Sequence, residues 1–142
     1  MASIDDRLNE FEQLIHTAIR QSNKWMPCPA VSKQQFLLLA TLSAKRRMTV
    51  SELAEELCLS PSATTIAVNR LVRDGRVMRT RDDTDRRVVW VELTELGLHT
   101  VTELKQRRKL ILQAMLANLS QEETDQFVAT FRKMLSNAKV LG

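Results

Sequence analysis

The spacing of apolar residues predicts a mostly helical chain with one short region of strands. Apolar side chains recur every third or fourth position in residues 4–25, 94–119 and 120–138, which is typical of amphipathic helices. Residues 36–44 are apolar on nearly every side, so we expect this helix to be buried on several sides. Between residues 77 and 93, β-branched and aromatic runs flank a polar cluster, which predicts a β-hairpin.

Signals for helix ends place the boundaries of these elements. Three pairs have the spacing of a capping box: Ser32 with Gln35, Thr49 with Glu52, and Ser120 with Glu123. Ser60 and Pro61 mark the start of another helix, and Gly75 marks its end. The first helix ends before Pro27 and Pro29, because two prolines so close together cannot continue the hydrogen-bonded ladder.

The helices that begin at Thr49 and at Ser60 are separated only by Cys58 and Leu59. Two helices joined by so tight a turn form a helix-turn-helix. The predicted hairpin follows, with strands 77–81 and 87–93 around a turn at 82–85. A helix-turn-helix followed by a hairpin is a winged helix, which usually places one helix in the DNA major groove and the hairpin beside the backbone or in the minor groove.

Five motifs occur in order through the central third of the chain: Ser51-Glu52-Leu53-Ala54, the Ser60 helix ending in Arg70-Leu71, Gly75-x-Val77-x-Arg79, Asp85-Arg86-Arg87, and Leu93-Thr94-x-x-Gly97. Together they resemble the motifs of the MarR family of bacterial transcription regulators. The resemblance implies a mainly α fold with a small β-hairpin wing, in which a winged helix-turn-helix is flanked by terminal dimerisation helices. It also implies a homodimer that binds an inverted repeat in double-stranded DNA, as a repressor.

The length of 142 residues favours a single domain over residues 1–142. Within it, residues 32–93 would form the winged-helix DNA-binding lobe, and residues 1–25 and 94–142 a helical dimerisation region. The terminal helices carry apolar stripes that DNA binding does not require, and a two-fold dimer would bury them. The alternative is that these stripes pack within one subunit.

The positive charge of the chain lies mainly in the predicted DNA-binding segment. The whole chain has a formal net charge of +4. Residues 70–87 contain seven arginines and four aspartates, a net charge of +3, so the other 124 residues carry only +1. A run of charge is often just a solvated surface, but its overlap with a winged helix favours contact with DNA.

On the helix that begins at Ser60, the 3.6-residue period separates an inward face from an outward face. The inward residues are Thr64, Ala67, Val68 and Leu71, and the outward residues are Ser62, Thr65, Ile66, Asn69 and Arg73. Hydroxyl groups serve several bases, asparagine pairs bidentately with adenine, and isoleucine contacts a thymine methyl group, so we expect the outward face to contact DNA. The alternative for Ser62 and Thr65 is that they only complete the capping network.

Arg70 has two candidate roles, a contact with DNA phosphate or an ion pair with Asp74 one turn further along the helix. In the hairpin, we expect Arg87 to enter the minor groove, with Asp85 on the same strand face orienting its guanidinium group. Arg86 would point the other way, towards phosphate or solvent. The alternative is that Asp85 and Arg87 only make the hairpin more rigid.

Nothing in the sequence indicates catalysis. His16 and His99 are the only imidazoles and lack metal-ligand spacing, and the three glycines cannot form a phosphate-binding loop. We therefore expect no enzyme activity, no catalytic or metal site, and no cofactor. A winged helix that binds only protein is an alternative, although such a module would need no basic wing.

The resemblance also implies control by a small phenolic or aromatic effector bound between the dimer helices and the DNA-binding lobe. Trp25, Met26 and Phe36 lie where such a ligand site is expected, and the alternative is that they are core residues. Oxidation of a cysteine is the other form of control, for which Cys28, in a predicted loop, is the candidate. Cys58, at an apolar helix end, is expected to lie in the core.

Three further features of the sequence concern the location of the protein. No apolar run approaches the roughly 18 residues that indicate a membrane span, and the first residues do not resemble a secretory signal. Two cysteines are too few for a disulfide framework. These features predict a cytoplasmic protein without a membrane partner.

Overall fold

The computed structural model describes residues 1–22, 24 and 31–138 of the chain. Over these residues the elements are α1 (Ile4–Ser22), α2 (Lys33–Lys45), β1 (Arg47–Met48), α3 (Val50–Glu56), α4 (Pro61–Arg73), β2 (Val77–Arg81), β3 (Val89–Leu93), α5 (Glu95–Leu116) and α6 (Gln121–Ala138). The strands form one antiparallel sheet in the order β1-β3-β2. The predicted fold class, mainly helical with a small hairpin wing, is confirmed.

The predicted capping boxes are present. In the first, the Ser32 hydroxyl accepts from the Gln35 backbone N–H at 3.1 Å, and the Gln35 side chain accepts from the Ser32 N–H at 3.0 Å. The same pair of bonds joins Thr49 with Glu52, and Ser120 with Glu123. Because each box satisfies two N–H groups that have no partner inside the helix, these short sequences define where α2, α3 and α6 begin.

Helix α4 has the two ends that its sequence predicts. The Ser60 hydroxyl accepts from the Ala63 N–H at 3.1 Å, and Pro61 occupies the first position of the helix. Gly75 follows the last turn with a φ angle of +77°, a left-handed conformation that glycine adopts without steric cost. The helix therefore stops where the hairpin must begin.

The sheet contains one strand that the sequence does not predict. β1 pairs Arg47 with Glu92 and Met48 with Val91 of β3. A strand of two residues is too short to show an alternating pattern, and a basic segment after a helix favours a polar exit instead. The second strand of the hairpin begins at residue 89 rather than 87, because residues 82–88 form the turn.

Helix α1 spans Ile4–Ser22, and its predicted end at residue 25 lies outside the described residues. Residues 25–30, which include both prolines of the predicted helix end, lie outside the described residues. None of the helices in the described part of the chain is long and apolar enough to cross a membrane.

The core is formed by α2, α3, α4, the sheet and the beginning of α5. Its fully buried side chains include Leu38, Leu39, Leu42, Leu53, Val68, Leu71, Val91 and Val101. The predicted inward face of α4 is confirmed, since Thr64, Ala67, Val68 and Leu71 are each at most 4% exposed. Helix α2 is buried less completely than predicted, because Leu37 is 47% exposed.

The chain forms two compact units that divide within α5. The first unit, Met1–Arg107, contains α1, the winged helix and the beginning of α5. The second unit, Arg108–Gly142, contains the rest of α5 and α6. A single domain over residues 1–142, with the lobe and dimerisation boundaries given above, stays a prediction.

Helices α1 and α6 each expose a stripe of apolar side chains. The stripe of α1 consists of Ile4, Leu8, Phe11, Leu14, Ile15 and Ile19, and the stripe of α6 consists of Phe127, Val128, Phe131, Met134 and Leu135. Each of these side chains is at least 39% exposed. Removing apolar surface from water is favourable by roughly 25 cal/mol per Å², so both stripes would be stabilised by a covering surface.

The glycine at position 97 lets α5 begin against the segment that follows α4. A Cβ atom there would collide with the carbonyl oxygen of Arg76 and would lie 2.9 Å from its carbonyl carbon. The same oxygen accepts from the Thr94 N–H at 3.1 Å, and the Thr94 hydroxyl donates to the Gly75 oxygen at 2.6 Å. Thr94 also accepts from the Gly97 N–H at 3.1 Å, and so it caps α5 as predicted.

Substituting Gly97→Ala should lower the free energy of unfolding by about 1–3 kcal/mol, because the added methyl group meets backbone atoms that cannot easily move aside. Helix propensity alone predicts the opposite sign, a gain of up to about 1 kcal/mol. Urea denaturation followed by circular dichroism measures the change, with Gln106→Ala, at an exposed position of the same helix, as the matched control. A variant at least as stable as this control would contradict the close packing.

Candidate nucleic-acid interface

Helix α4 presents a polar face to solvent. The residues of this helix that are predicted to contact DNA, Ser62, Thr65, Ile66, Asn69, Arg70 and Arg73, are all exposed. The opposite face is buried, so the helix cannot rotate about its axis without exposing Val68 and Leu71 to water. Packing therefore sets the direction in which the polar face points.

The hydrogen bonds at the start of α4 leave its two candidate base-contacting hydroxyl groups unused. Ser60 caps the helix, and the Thr64 hydroxyl donates to the Ser60 carbonyl oxygen at 2.9 Å. Within the described ranges, the side chains of Ser62 and Thr65 form no hydrogen bond with the protein. The capping network is thus complete without them, and both hydroxyl groups can bind a ligand.

Asp74, at the end of α4, does not pair with Arg70. Its carboxylate lies 3.7 Å from Nε of Arg73 and 3.7 Å from a terminal nitrogen of Arg76. Across residues 31–138, no ion pair joins Arg70 to Asp74. A phosphate contact for Arg70 stays a prediction.

Arg76 is an arginine of the basic segment whose side chain is engaged within the fold. Its side chain is only 17% exposed, and its Nε donates to the Thr100 hydroxyl of α5 at 3.4 Å. Together with its ion pair to Asp74, this contact ties the end of α4 to α5. The Arg76 side chain is therefore engaged in contacts between α4 and α5 and is mostly shielded from solvent.

The hairpin adds to the exposed face of α4 one arginine that was not among the predicted DNA contacts. The terminal nitrogen of Arg79, on β2, donates to the side-chain oxygen of Asn69 on α4. Both side chains are exposed. Strand alternation could have indicated this neighbour, because Arg79 lies two residues beyond Val77, which is 2% exposed and packs in the core beneath α4.

Asp82 organises the turn of the wing. One carboxylate oxygen accepts from the backbone N–H groups of Thr84 at 3.0 Å and Asp85 at 2.9 Å. The other accepts from the indole N–H of Trp90 at 3.0 Å. These bonds lower the pKa of Asp82 below its ordinary value, and the indole hydrogen bond is the largest cause.

Trp90 connects this turn to β1 as well. The guanidinium carbon of Arg47 lies 4.3 Å from the centre of the Trp90 ring, which is a cation–π contact. One side of the wing is therefore supported by the strand that the sequence does not predict. On the other side, Arg81 donates to the carbonyl oxygen of Arg86 across the turn at 2.9 Å.

Asp85 and Arg87 form the bidentate pair that was expected, but by a different geometry. Nε of Arg87 lies 3.1 Å from one carboxylate oxygen, and a terminal nitrogen lies 3.2 Å from the other. The expected shared strand face is wrong, because both residues belong to the turn, where Asp85 also accepts from the Arg87 backbone N–H at 3.1 Å. The Arg87 guanidinium group is the main cause that lowers the pKa of Asp85.

The wing thus holds an arginine that is oriented and yet accessible. The Arg87 side chain is 92% exposed, although its guanidinium group is held by Asp85. Arg86 is exposed as well. An exposed cation whose direction is already set loses less rotamer freedom when it binds a phosphate or enters a groove.

Comparisons with known proteins identify the family. A model of the MarR family matches residues 31–89. MdtR, an HTH-type transcriptional repressor of Bacillus subtilis (strain 168), is 32% identical over 123 residues, which cover 87% of this chain and 77% of the relative. The chain belongs to the MarR family. YwhA, an uncharacterised HTH-type transcriptional regulator of the same strain, is 36% identical over 86 residues, which cover 61% of this chain and 62% of that relative.

Solved structures agree with this membership in the MarR family. A MarR family protein from Bacillus stearothermophilus is 29% identical, with a TM-score of 0.81 over 97% of this chain and 99% of that structure. A mutant MarR from E. coli complexed with operator DNA is 23% identical, with a TM-score of 0.75 over 94% and 99%, and it supports the fold alone. Because MarR family members are transcriptional regulators and not enzymes, this chain is a DNA-binding transcriptional regulator.

Among the effector and redox candidates of this MarR-family chain, the structure describes Phe36 but not Trp25, Met26 or Cys28. Phe36 is 4% exposed and belongs to the core. The expectation that Cys58 lies in the core was wrong. Cys58 is exposed in the turn between α3 and α4, where it has a left-handed backbone conformation with a φ angle of +54°.

No group of three or more metal-ligating residues that could hold a metal ion occurs in the part of the chain that is described.

Shallow grooves lie on the surface of the first unit. One of them, of about 420 Å³, lies between the end of α2 and the start of α5 and is lined by Leu42, Arg46, Glu92 and Leu98, among others. Among the described residues, Phe36 lines none of these grooves.

The wing should loosen in acid when Asp82 is protonated. A carboxylate whose folded pKa is depressed contributes stability above its unfolded pKa, about 3.9, and loses that contribution as the pH falls through the folded value. In a Trp25→Phe background, the fluorescence of Trp90 should therefore stay constant from neutral pH to about pH 4 and change below it. Asp82→Asn should alter the emission already at neutral pH and remove this acid step.

The control for this titration is Asp83→Asn, which removes the neighbouring exposed carboxylate of the same turn. It should keep the wild-type profile, and far-UV circular dichroism should show that the helices persist over the same range. An identical acid step in the Asp82→Asn protein would contradict the role of this carboxylate in the wing.

Proposed function

We propose that this chain is a homodimeric repressor that binds an inverted repeat in double-stranded DNA, with α4 in the major groove and the wing in the minor groove. The observation that supports this proposal best is the exposed polar face of α4 together with the oriented pair of Asp85 and Arg87. The DNA complex of a MarR structure with the same fold is consistent with it. A location in the cytoplasm is part of the same proposal.

The residues of α4 divide between bases and phosphates in this proposal. Ser62, Thr65, Ile66 and Asn69 face the base edges, because they offer short polar groups and one apolar group on the exposed face. Arg70 and Arg73 face the phosphates, where a long cation needs no exact register. The helix has only these two basic residues, so most of its exposed side chains are suited to discriminating bases rather than to holding the backbone.

In the wing, Arg87 enters the minor groove and Arg86 contacts the backbone. A narrow A/T-rich minor groove concentrates negative potential and attracts an inserted arginine, so this contact depends on groove shape as well as on charge. Asp85 orients the guanidinium group through the bidentate bond. The rival role, in which Asp85 and Arg87 only make the turn more rigid, predicts different binding by the variants below.

The wing contact is tested with Arg87→Ala and Asp85→Ala on duplexes whose half-sites are centred about 10 base pairs apart. Arg87→Ala should weaken the free energy of DNA binding by about 1–3 kcal/mol, with a larger loss on A/T than on G/C flanks. It should also reduce the slope of log K against log salt concentration by about 1 for each phosphate that the protein no longer neutralises. Asp85→Ala should weaken binding too, although removal of an acid would strengthen it by Coulomb attraction alone. Fluorescence anisotropy at several salt concentrations measures both effects.

Asp83→Ala is the matched control, since it removes the same charge from the same turn without touching Arg87. It should bind DNA as tightly as the wild type or more tightly. If Asp85→Ala behaves in the same way as Asp83→Ala, Asp85 has no orienting role. If Arg87→Ala keeps full affinity on every duplex, the arginine does not contact DNA.

The homodimer is supported by the apolar stripes of α1 and α6, which stay exposed in the single chain. In the proposed dimer, residues 1–25 and 94–142 form the interface, and residues 32–93 form the DNA-binding lobe. The stripe of α6 includes two stacked aromatic rings, Phe127 and Phe131, whose centres lie 5.7 Å apart. Aromatic residues in an exposed apolar stripe are typical of a protein interface.

Phe131→Asp should shift the protein from dimer to monomer, because burying an unpaired carboxylate in an apolar interface costs several kcal/mol. Ala129→Asp adds the same charge to the polar face of the same helix, and this variant should remain dimeric. Ala129 and Phe131 are both exposed in the single chain, so the two variants differ in the face that carries the added charge. Sedimentation equilibrium distinguishes the two states. A Phe131→Asp protein with the same mass in solution as the Ala129→Asp protein would place the interface elsewhere.

Control by a small phenolic or aromatic ligand completes the proposal, with Trp25, Met26 and Phe36 as the candidate contacts. Burial of Phe36 is compatible with a site beside the core, and a ligand can act only by binding one arrangement of the two DNA-binding lobes better than another. Titrating phenolic acids against the protein–DNA complex, with Trp25 fluorescence as the second signal, tests this. No release of DNA and no quenching would favour oxidation of Cys28, the alternative control.

A further inference from the structure

Asn69 and Arg79 meet on the exposed face that is proposed to contact DNA. The Asn69 side-chain oxygen accepts a hydrogen bond from Arg79. The reverse orientation of the amide would bring two hydrogen-bond donors face to face, so the chemistry of the pair determines which atom of the amide faces the guanidinium group. The NH2 group of Asn69 is left without a protein partner among the described residues.

This contact changes which base Asn69 can recognise. Asparagine recognises adenine with both halves of its amide, since the oxygen accepts from the adenine amino group and the NH2 group donates to N7. Here the oxygen already accepts from a cation. An adenine amino group that approached this oxygen would also meet the remaining N–H groups of Arg79, which are donors like itself.

Guanine has the complementary edge. In the major groove it presents two acceptors, O6 and N7, and no donor. The Asn69–Arg79 pair presents the free NH2 group of one side chain and the free N–H groups of the other, so its outward groups are all donors. Arginine bound to O6 and N7 of guanine is also the commonest specific contact between proteins and DNA.

We propose that Asn69 and Arg79 act as one donor pair that selects guanine in each half-site. The inference rests on the proposed binding of DNA, and it makes Arg79, on a strand of the wing, a specificity-determining residue of the major-groove contact. Arg79 holds this position because Val77, two residues before it on β2, is buried in the core with Val68 and Leu71 of α4. Because alternate residues of a strand share a face, Arg79 lies on the same side of β2 as Val77 and faces α4 where the strand leaves the core.

Selection of bound sequences from a pool of random duplexes gives the preference of the wild-type protein. We expect guanine at one position of each half-site, and replacement by adenine there should weaken binding by about 5- to 150-fold. Replacement by 7-deazaguanine, which lacks the N7 acceptor, should weaken binding as well. Inosine, which keeps O6 and N7, should bind as guanine does.

Arg79→Met removes the guanidinium group, keeps a long unbranched stem and releases the oxygen of Asn69. Selection with this variant should change the preferred base at that position from guanine to adenine. Adding Asn69→Ala to Arg79→Met should abolish the preference between the two bases. Asn69→Ala alone should weaken the preference for guanine without replacing it, because Arg79 still presents its donors.

Arg81→Met is the matched control. It removes the same charge from the next residue on the same strand face, but Arg81 donates to the Arg86 carbonyl oxygen in the turn instead of to α4. This variant should keep guanine at the selected position. If circular dichroism shows that Arg79→Met does not fold, Arg79→Ala, which also removes the guanidinium group, provides the same test.

The outcomes separate the inference from the proposed function. If the Arg79 variants keep guanine and lose affinity equally on all duplexes, Arg79 is a phosphate contact and the inference is overturned, while the regulatory function stands. If the wild-type protein already selects adenine at the position that Asn69→Ala affects, the inference is overturned in the same way. If the wild-type protein enriches no sequence from the pool, the proposed function itself is wrong.

Discussion

Burial of the inward face of α4 is the constraint on which the rest of the interface depends. Because Thr64, Ala67, Val68 and Leu71 are removed from water, the residues between them are necessarily presented to solvent. The wing is connected to the same helix at its base. Arg76, just beyond α4, accepts from the N–H of Thr94, which follows the last strand of the wing, and its carbonyl oxygen closely contacts Gly97 at the start of α5. Helix and hairpin are thus held in one frame, and their exposed side chains form a single surface.

The aspartates within the basic segment explain how this surface can be positive and still well ordered. Asp74 pairs with Arg76 and Arg73, Asp82 accepts from the turn and from Trp90, and Asp85 holds Arg87. Each acid lowers the net charge by one but reduces the freedom of groups that would otherwise move. Exposed cations that are already oriented lose less entropy on binding. A count of charge alone therefore misses the function of these acids.

Much of the candidate interface could be predicted from the sequence, because α4 obeys a simple periodicity. The exposed positions of Ser62, Thr65 and Asn69 follow from the buried stripe of α4, which recurs every three or four residues and leaves the positions between on the opposite face. The contact between Asp85 and Arg87 was also expected, but its reason was not, since the extent of a turn depends on which hydrogen bonds close it. Cys58 was misplaced because an apolar neighbourhood in sequence gives no sign of a left-handed turn residue.

The sequence by itself determined where the helices begin, which face of α4 is buried and where the hairpin follows, because capping and periodicity act among residues a few positions apart. Only the tertiary structure decided the pairing of β1 with β3, the cation–π contact of Arg47 with Trp90 and the bond between Arg79 and Asn69. These contacts join residues ten or more positions apart, and they depend on how strands and helices pack. Alternation along β2 places Arg79 on the same face as Val77, but no local pattern shows that this face packs against α4 beside Asn69. The partner of Asn69, and with it the proposed choice of base, therefore follows from the fold.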